Sequence, residues 1–295
     1  MTSLRARLVN RYIRSTLKPV FANSSLSPQQ IRKTVDSRKL PFTPKGVAVE
    51  QISAPVKGEW QRPAAVTPGR TIYYLHGGGF VFGSPASHRH LTFSLAKTAR
   101  APVFSLDYRL APEHPCPAAI DDAYAGWCWL LEYGAAPEEI FVGGDSAGGG
   151  LALALMQRLA ERKMAMPGGV FVYSPWTDLT VSGASLDTNE RTDFMFTAEA
   201  IRRTAAHYVG ALAPDDPRPS PLFGSFRDFP PTLTFASNDE VLLDDSLRLK
   251  DAMVRDGVAV ELRRADGLVH VWPLFCAFMP EGARTVAETA KFIRA

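Results

Sequence analysis

The chain has 295 residues, 46% of them hydrophobic and 21% charged, with a formal net charge of +3. Such values belong to a globular protein with a large core, and the charge is too small to predict a nucleic-acid partner. Cys116, Cys128 and Cys276 fit neither a disulfide framework nor a zinc site and point to a reducing, cytoplasmic setting. No apolar run reaches the length of a bilayer span, so no stable membrane insertion is expected.

Residues 1–35 contain five arginines, two lysines and no carboxylate; Asp36 is the first acid. Such a stretch could serve as an organelle transit peptide. Leu4, Leu8 and Tyr12, however, recur every fourth residue and predict an amphipathic helix docked by that stripe on its own protein. Arg5, Arg7, Arg11 and Arg14 would then be solvated, or lie loosely on anionic lipid. From Val47 the pattern is regular. Strands are predicted at Thr71–Leu75, Pro102–Leu106, Ile140–Val142, Gly169–Tyr173, Pro231–Phe235 and Val258–Leu262. Helices are predicted at Ala119–Tyr133, Leu151–Lys163, Leu243–Arg255 and Ala283–Ile293. This alternation calls for an α/β fold, a mostly parallel central sheet with helices on both faces. Between Trp176 and Pro219 it lapses; a helix over Thr197–Gly210 lies in a polar stretch that reads as an insertion.

One stretch, Phe141-Val-Gly-Gly-Asp-Ser-Ala-Gly-Gly-Gly-Leu151, sets a serine among five glycines. A flexible loop or a phosphate cradle would be the plain readings. The strand before it and the helix after it instead put Ser146 at the apex of a G-x-S-x-G turn, the nucleophile elbow. There the serine backbone is strained, and only small residues fit two places before and after it, where Gly144 and Gly148 stand. Upstream, Leu75-His-Gly-Gly-Gly-Phe-Val-Phe-Gly-Ser84 follows directly on a predicted strand. Three successive glycines leave backbone N–H groups free to hold the negative oxygen that forms when a serine attacks an ester. H-G-G-G ahead of G-x-S-x-G is the pairing expected of esterases and lipases.

Asp107–Asp122 (DYRLAPEHPCPAAIDD), Gly144–Ala152 (GDSAGGGLA), Ser174–Leu179 (SPWTDL) and Phe229–Asp245 (FPPTLTFASNDEVLLDD) closely resemble the hormone-sensitive-lipase family of bacterial esterases. The resemblance runs from about residue 70 to the C-terminus, with the motifs in the family's order. It implies an α/β-hydrolase core over 46–179 and 213–295, and a small helical cap from 1–45 and 180–212. It also implies hydrolysis of short- to medium-chain carboxylic esters without metal or cofactor. By motif match it assigns the oxyanion hole to the N–H groups of Gly78, Gly79 and Ala147. Pairing into a homodimer along the last strand's edge would follow family habit.

The fold's chain order is serine, acid, histidine. Only His207 and His270 follow Ser146, and His207 precedes the acid strand, within the expected cap. His270 is therefore the expected base. His76 is read as holding the glycine loop, Asp145 as supporting the elbow, and His88 and His90 as surface or pocket residues. Asp239, Glu240, Asp244 and Asp245 compete for the acid. Asp244 and Asp245 suit the first turn of a helix. Only Glu240-Val-Leu-Leu-Asp-Asp245 matches the spacing of the family's D-P-L-x-D-E, with glutamate where the family has aspartate, so Asp239 stays a rival to Glu240. Two other functions share these motifs: an amidase such as an arylformamidase, and a non-catalytic receptor of the gibberellin-receptor kind, which lacks the histidine.

Overall fold

The computed structural model describes residues 2–37 and 45–295. Three helices lead, α1 (Leu4–Thr16), α2 (Lys18–Ala22) and α3 (Pro28–Ser37). Then come β1 (Val47–Ile52), β2 (Gly58–Pro63), β3 (Thr71–Leu75), α4 (Pro85–Ala99), β4 (Val103–Leu106), α5 (Ala118–Glu132), β5 (Ile140–Asp145) and α6 (Ala147–Glu161). The chain continues through β6 (Gly169–Tyr173), α7 (Ser185–Thr188), α8 (Ala198–Val209), β7 (Thr232–Ser237), α9 (Leu243–Arg255), β8 (Val260–Ala265) and α10 (Pro280–Arg294). Of the segment 1–45, Met1 and residues 38–44 lie outside the described residues.

The strands form one sheet in the order β1-β2-β4-β3-β5-β6-β7-β8. From β4 to β8 the pairs are parallel, as predicted; β1 with β2 and β2 with β4 are antiparallel. Sequence alone did not find β1 and β2. β1 (VAVEQI) is largely exposed, as the outer strand of an antiparallel pair can be, whereas β2 (GEWQRP) is buried but carries Glu59, Gln61 and Arg62 in place of an apolar run. In β2, buried Glu59 is met by Arg89 of α4 with two hydrogen bonds, at 2.6 and 3.0 Å, and by the side-chain amides of Gln51 and Gln61, each at 2.8 Å.

Each face of the sheet carries its own apolar layer. On one side lie Ile120, Trp127 and Leu130 of α5, Leu151, Leu155 and Leu159 of α6, and Leu249 and Met253 of α9. On the other, Leu91 and Leu95 of α4 and Val286 and Ile293 of α10 pack with Ala6 and Ile13 of α1. Each of the leucine, isoleucine, valine and methionine side chains among them contributes about 1.5–3 kcal/mol by leaving water.

The docking face of α1 corrects the sequence expectation. Leu4, Leu8 and Tyr12 point outward, 67%, 60% and 55% exposed, while Ala6, Asn10 and Ile13 are buried. Small Ala6 lets the helix approach closely, and Asn10 Nδ2 donates to the Gly267 carbonyl at 2.7 Å. Periodicity of large apolar residues located the helix but not the face, because close approach and a hydrogen bond fixed the orientation.

Candidate active site

Ser146 joins β5 to α6 with φ 51° and ψ −122°, a backbone state costing a non-glycine residue of order 1–3 kcal/mol. Its surroundings enforce that state. Ser146 N–H donates to the Tyr173 carbonyl (2.8 Å), and its own carbonyl accepts from Gly150 (3.1 Å) and Trp176 (2.9 Å). A Cβ on Gly144 would strike the Gly148 carbonyl, and one on Gly148 would strike the carbonyls of Leu75 and His76. α6 accordingly starts at Ala147, four positions before the expected Leu151, because its glycine turn packs against β3 where no side chain fits.

The loop after β3 takes Gly78 and Gly79 to φ +120° and +60°. Among the described residues the N–H groups of Gly78, Gly79 and Ala147 make no hydrogen bond. The loop is fastened from beneath. Asp145 Oδ1 accepts from Gly77 N–H (3.0 Å) and from the Tyr74 hydroxyl (2.8 Å), and Oδ2 lies 3.3 Å from His88 Nε2. Burial pushes the Asp145 carboxyl up, but the adjacent His88 and the Tyr74 hydroxyl hold it below the ordinary aspartate value. His76 stacks on Tyr108 at 4.2 Å, its Nδ1 lies 2.8 Å from the Gly77 carbonyl, and its own carbonyl accepts from the Tyr108 hydroxyl at 2.6 Å. His88 is thus neither a surface nor a pocket residue. It is buried under the loop, with Nδ1 2.9 Å from Ser87 Oγ.

His270 follows β8 and is 2% exposed, its Nδ1 2.7 Å from Oε2 of the buried Glu240. Oε1 of Glu240 accepts from Ser237 N–H at 3.2 Å. Asp239, one residue earlier, turns away: its Oδ2 accepts from Gly267 N–H at 2.5 Å. Burial lowers the His270 imidazole, yet the Glu240 carboxylate outweighs it and holds the pKa above the usual histidine value. His270 Nε2 is buried without a hydrogen-bond partner among the described residues. The end of β6 ties this loop to the elbow. Tyr173 receives the N–H of Ser146, and the next residue, Ser174, receives the N–H of Val271 at 3.1 Å.

Sequence reasoning did not single out the residues between Trp176 and Pro219 that brace the Glu240 loop. Asn189 Nδ2 donates to the Glu240 carbonyl (3.0 Å), and Asp193 Oδ2 accepts from Val241 N–H (2.8 Å). No short motif marks them; only the fold brings them 48 or more positions along the chain to that loop. Asp244 and Asp245 brace other loops, accepting from Ser185 N–H and from the N–H groups of Thr177 and Asp178. His207 is half-buried near the end of α8, and His90 packs at 5.5 Å on Phe278.

A narrow cleft opens above Ser146. Its walls are aromatic: Phe82 stacks on Phe21 (5.3 Å), Phe21 meets Phe196 (5.2 Å), and Phe196 sets its edge against His270 (5.2 Å). Trp176, Thr204 and Arg203 also line it, with Ile31 and Ile201 among its aliphatic residues. Arg203 Nη2 donates to the Phe21 carbonyl at 2.6 Å, which clamps α2 to α8. Among the described residues no group of three or more His, Cys, Asp or Glu is placed to hold a metal ion.

Residues 72–274 match the family described as the alpha/beta hydrolase fold. An acetyl-hydrolase of Streptomyces hygroscopicus is 39% identical over 236 residues, covering 80% of this chain and 79% of that protein. An esterase of Acinetobacter venetianus is 36% identical over 288 residues, 95% and 94% of the two chains. Among solved structures, the esterase EstE5 superposes with a TM-score of 0.94 at 34% identity, over 99% of this chain and 98% of its own. An esterase from the bacterial hormone-sensitive lipase family gives a TM-score of 0.94 at 33% identity, over 100% and 98%. The elbow, the glycine loop and these likenesses agree: this chain belongs to the hormone-sensitive-lipase family of bacterial α/β-hydrolases and is a carboxylic ester hydrolase.

Proposed function

We propose that the enzyme hydrolyses short- to medium-chain carboxylic esters through an acyl-enzyme on Ser146, with His270 as general base and Glu240 as the acid that orients it. The observation that carries this reading is the 2.7 Å contact between Glu240 and His270 Nδ1, which leaves buried Nε2 as the free nitrogen on a loop fastened, like Ser146, to the end of β6. His270 Nε2 takes the Ser146 proton as Oγ attacks the ester carbonyl. Charge gathers on the carbonyl oxygen, where the N–H groups of Gly78, Gly79 and Ala147 stabilise it; each such donor is worth about 2.7–4 kcal/mol. Collapse expels the alcohol, protonated by His270, and a water activated by the same nitrogen releases the acid.

The helices of 1–45 and 180–212 act as the cap, with 46–179 and 213–295 as the core. Support comes from Phe21 of α2, Ile31 of α3 and Ile201 of α8, which all line the cleft. The preference for short- to medium-chain acyl groups follows from the resemblance to the family, and the aromatic walls suit an apolar acyl chain. Three free cysteines favour a cytoplasmic setting, and β8, at the end of the sheet, is the edge along which a homodimer would pair.

Ser146→Ala tests the reading. It should fold normally, lose ester hydrolysis by several orders of magnitude, and take up no organophosphate adduct by mass spectrometry, whereas the wild type does. Undiminished turnover, or an adduct on the variant, refutes it. Running aryl amides beside p-nitrophenyl esters separates amidase from esterase.

A further inference from the structure

Among the described residues, the outward face of α1 has no partner: Leu4, Leu8 and Tyr12 are exposed. At about 100° per residue, Leu4, Leu8 and Tyr12 share one stripe, and Arg7, Arg11 and Arg14 form a ridge immediately beside it. All six side chains are exposed. Among the described residues, no carboxylate forms an ion pair with Arg5, Arg7, Arg11 or Arg14; Arg14 lies over the Phe194 ring at 4.6 Å and donates to the carbonyls of Arg191 and Thr192. Arg7, Arg11 and Arg14 line one cleft with Asn10 and Phe194. Seven cations and no acid within residues 1–35 make this end of the molecule strongly positive, against +3 for the whole chain.

We propose that this face docks the enzyme on an anionic phospholipid surface, with Leu4, Leu8 and Tyr12 entering the headgroup layer and the arginines meeting the phosphates. A nucleic acid would use the arginines but leave the apolar stripe in water; a neutral surface would use the stripe but not the charge. An interfacial helix needs both, side by side, at a depth of about 5–10 Å. The rest of α1 suits a fixed anchor. Ala6 and Ile13 are fully buried, Asn10 is bonded to Gly267, and Ser3 N–H and Oγ both donate to Glu281 (2.7 and 2.9 Å). Docking therefore needs no unfolding. Phe21, which lines the cleft over Ser146, follows in α2 with one residue between the helices. Among the described residues no helix is long and apolar enough to cross a membrane, so the contact is peripheral.

Sedimentation of the full chain with vesicles tests this. Wild type should bind vesicles of mixed phosphatidylglycerol and phosphatidylcholine at least about tenfold more tightly than phosphatidylcholine alone, and high salt should release it. L4S/L8S/Y12S and, separately, R5Q/R7Q/R11Q should each weaken binding by about tenfold or more while turnover of a water-soluble ester stays unchanged. Absent vesicle binding, or variants that bind as wild type does, overturns the proposal. So does a solution dimer dissociated by L4S/L8S/Y12S, which would give the face to a second copy. Equal binding of a DNA duplex by wild type and L4S/L8S/Y12S, with no vesicle binding, would give it to nucleic acid.

Discussion

The molecule buries two histidine–carboxylate pairs a short way apart along the same sheet, and they are built for opposite ends. Beneath the glycine loop, His88 meets Asp145 while its other nitrogen lies 2.9 Å from Ser87 Oγ, and Asp145 also holds Gly77 and Tyr74. Nothing there is left to react. In the second pair, Glu240 takes only Nδ1 of His270, and Nε2 stays without a partner. Both pairs are costly to desolvate. A fully bonded pair returns that cost as rigidity under the oxyanion donors, whereas a half-bonded pair retains a nitrogen that can accept a proton. Proximity of histidine to carboxylate thus does not by itself mark a catalytic dyad; the two pairs differ at the second nitrogen, which lies beside Ser87 Oγ in His88 and has no partner among the described residues in His270.

The largest break in this contrast should come from Glu240→Gln, which keeps the shape but no longer holds the catalytic tautomer. Turnover of a short-chain ester near neutral pH should fall on the order of 10⁴-fold, whereas Asp239→Asn, which only disturbs the contact to Gly267, should cost about tenfold or less. If Asp239→Asn proves the crippled enzyme, the acid is misassigned. Next comes Asp145→Asn. Loosening Gly77 misplaces the neighbouring N–H donors, so kcat should drop by about 10²-fold with little change in KM, and thermal unfolding should show a loss of about 1–3 kcal/mol.

The acid limb of the rate profile sharpens the contrast further. In the proposed mechanism His270 acts as a neutral base, so activity should fall as pH drops through its pKa. Because Glu240 holds that pKa up, the limb should lie above about 6.5, the ordinary histidine value. The residual activity of Glu240→Gln should show the limb moved down. Protonation of His270 for the same reason favours the fold: its contribution is complete below the unfolded pKa and is lost as pH rises through the folded one. The smallest effect concerns Asp245, whose carboxyl is pushed up to about 7 by burial and by nearby Asp178. The folded protein then keeps a proton that the unfolded chain releases, so stability declines as pH rises from about 4 to about 7. Asp245→Asn should remove that slope in denaturant titrations without harming activity.

What the sequence determined by itself was everything encoded locally. Gly144, Ser146 and Gly148 declare the elbow because strain at a single φ admits only small neighbours. His76 to Gly79 declare the loop, and alternating apolar runs declare the parallel strands. Chain order put His270 forward as the expected base, and motif spacing put Glu240 ahead of its rival Asp239. Tertiary structure alone decided the rest, since those choices depend on partners far away in the chain. Glu59 can sit inside a polar strand because Arg89 reaches it from α4. His88 is buried because Asp145 waits beneath the loop. The aromatic cleft gathers Phe21, Phe82 and Phe196 from three separate segments. The face of α1 turned on Ala6 and Asn10, the small and the polar residue, because close approach and one hydrogen bond at Gly267 outweighed the burial of three larger apolar side chains.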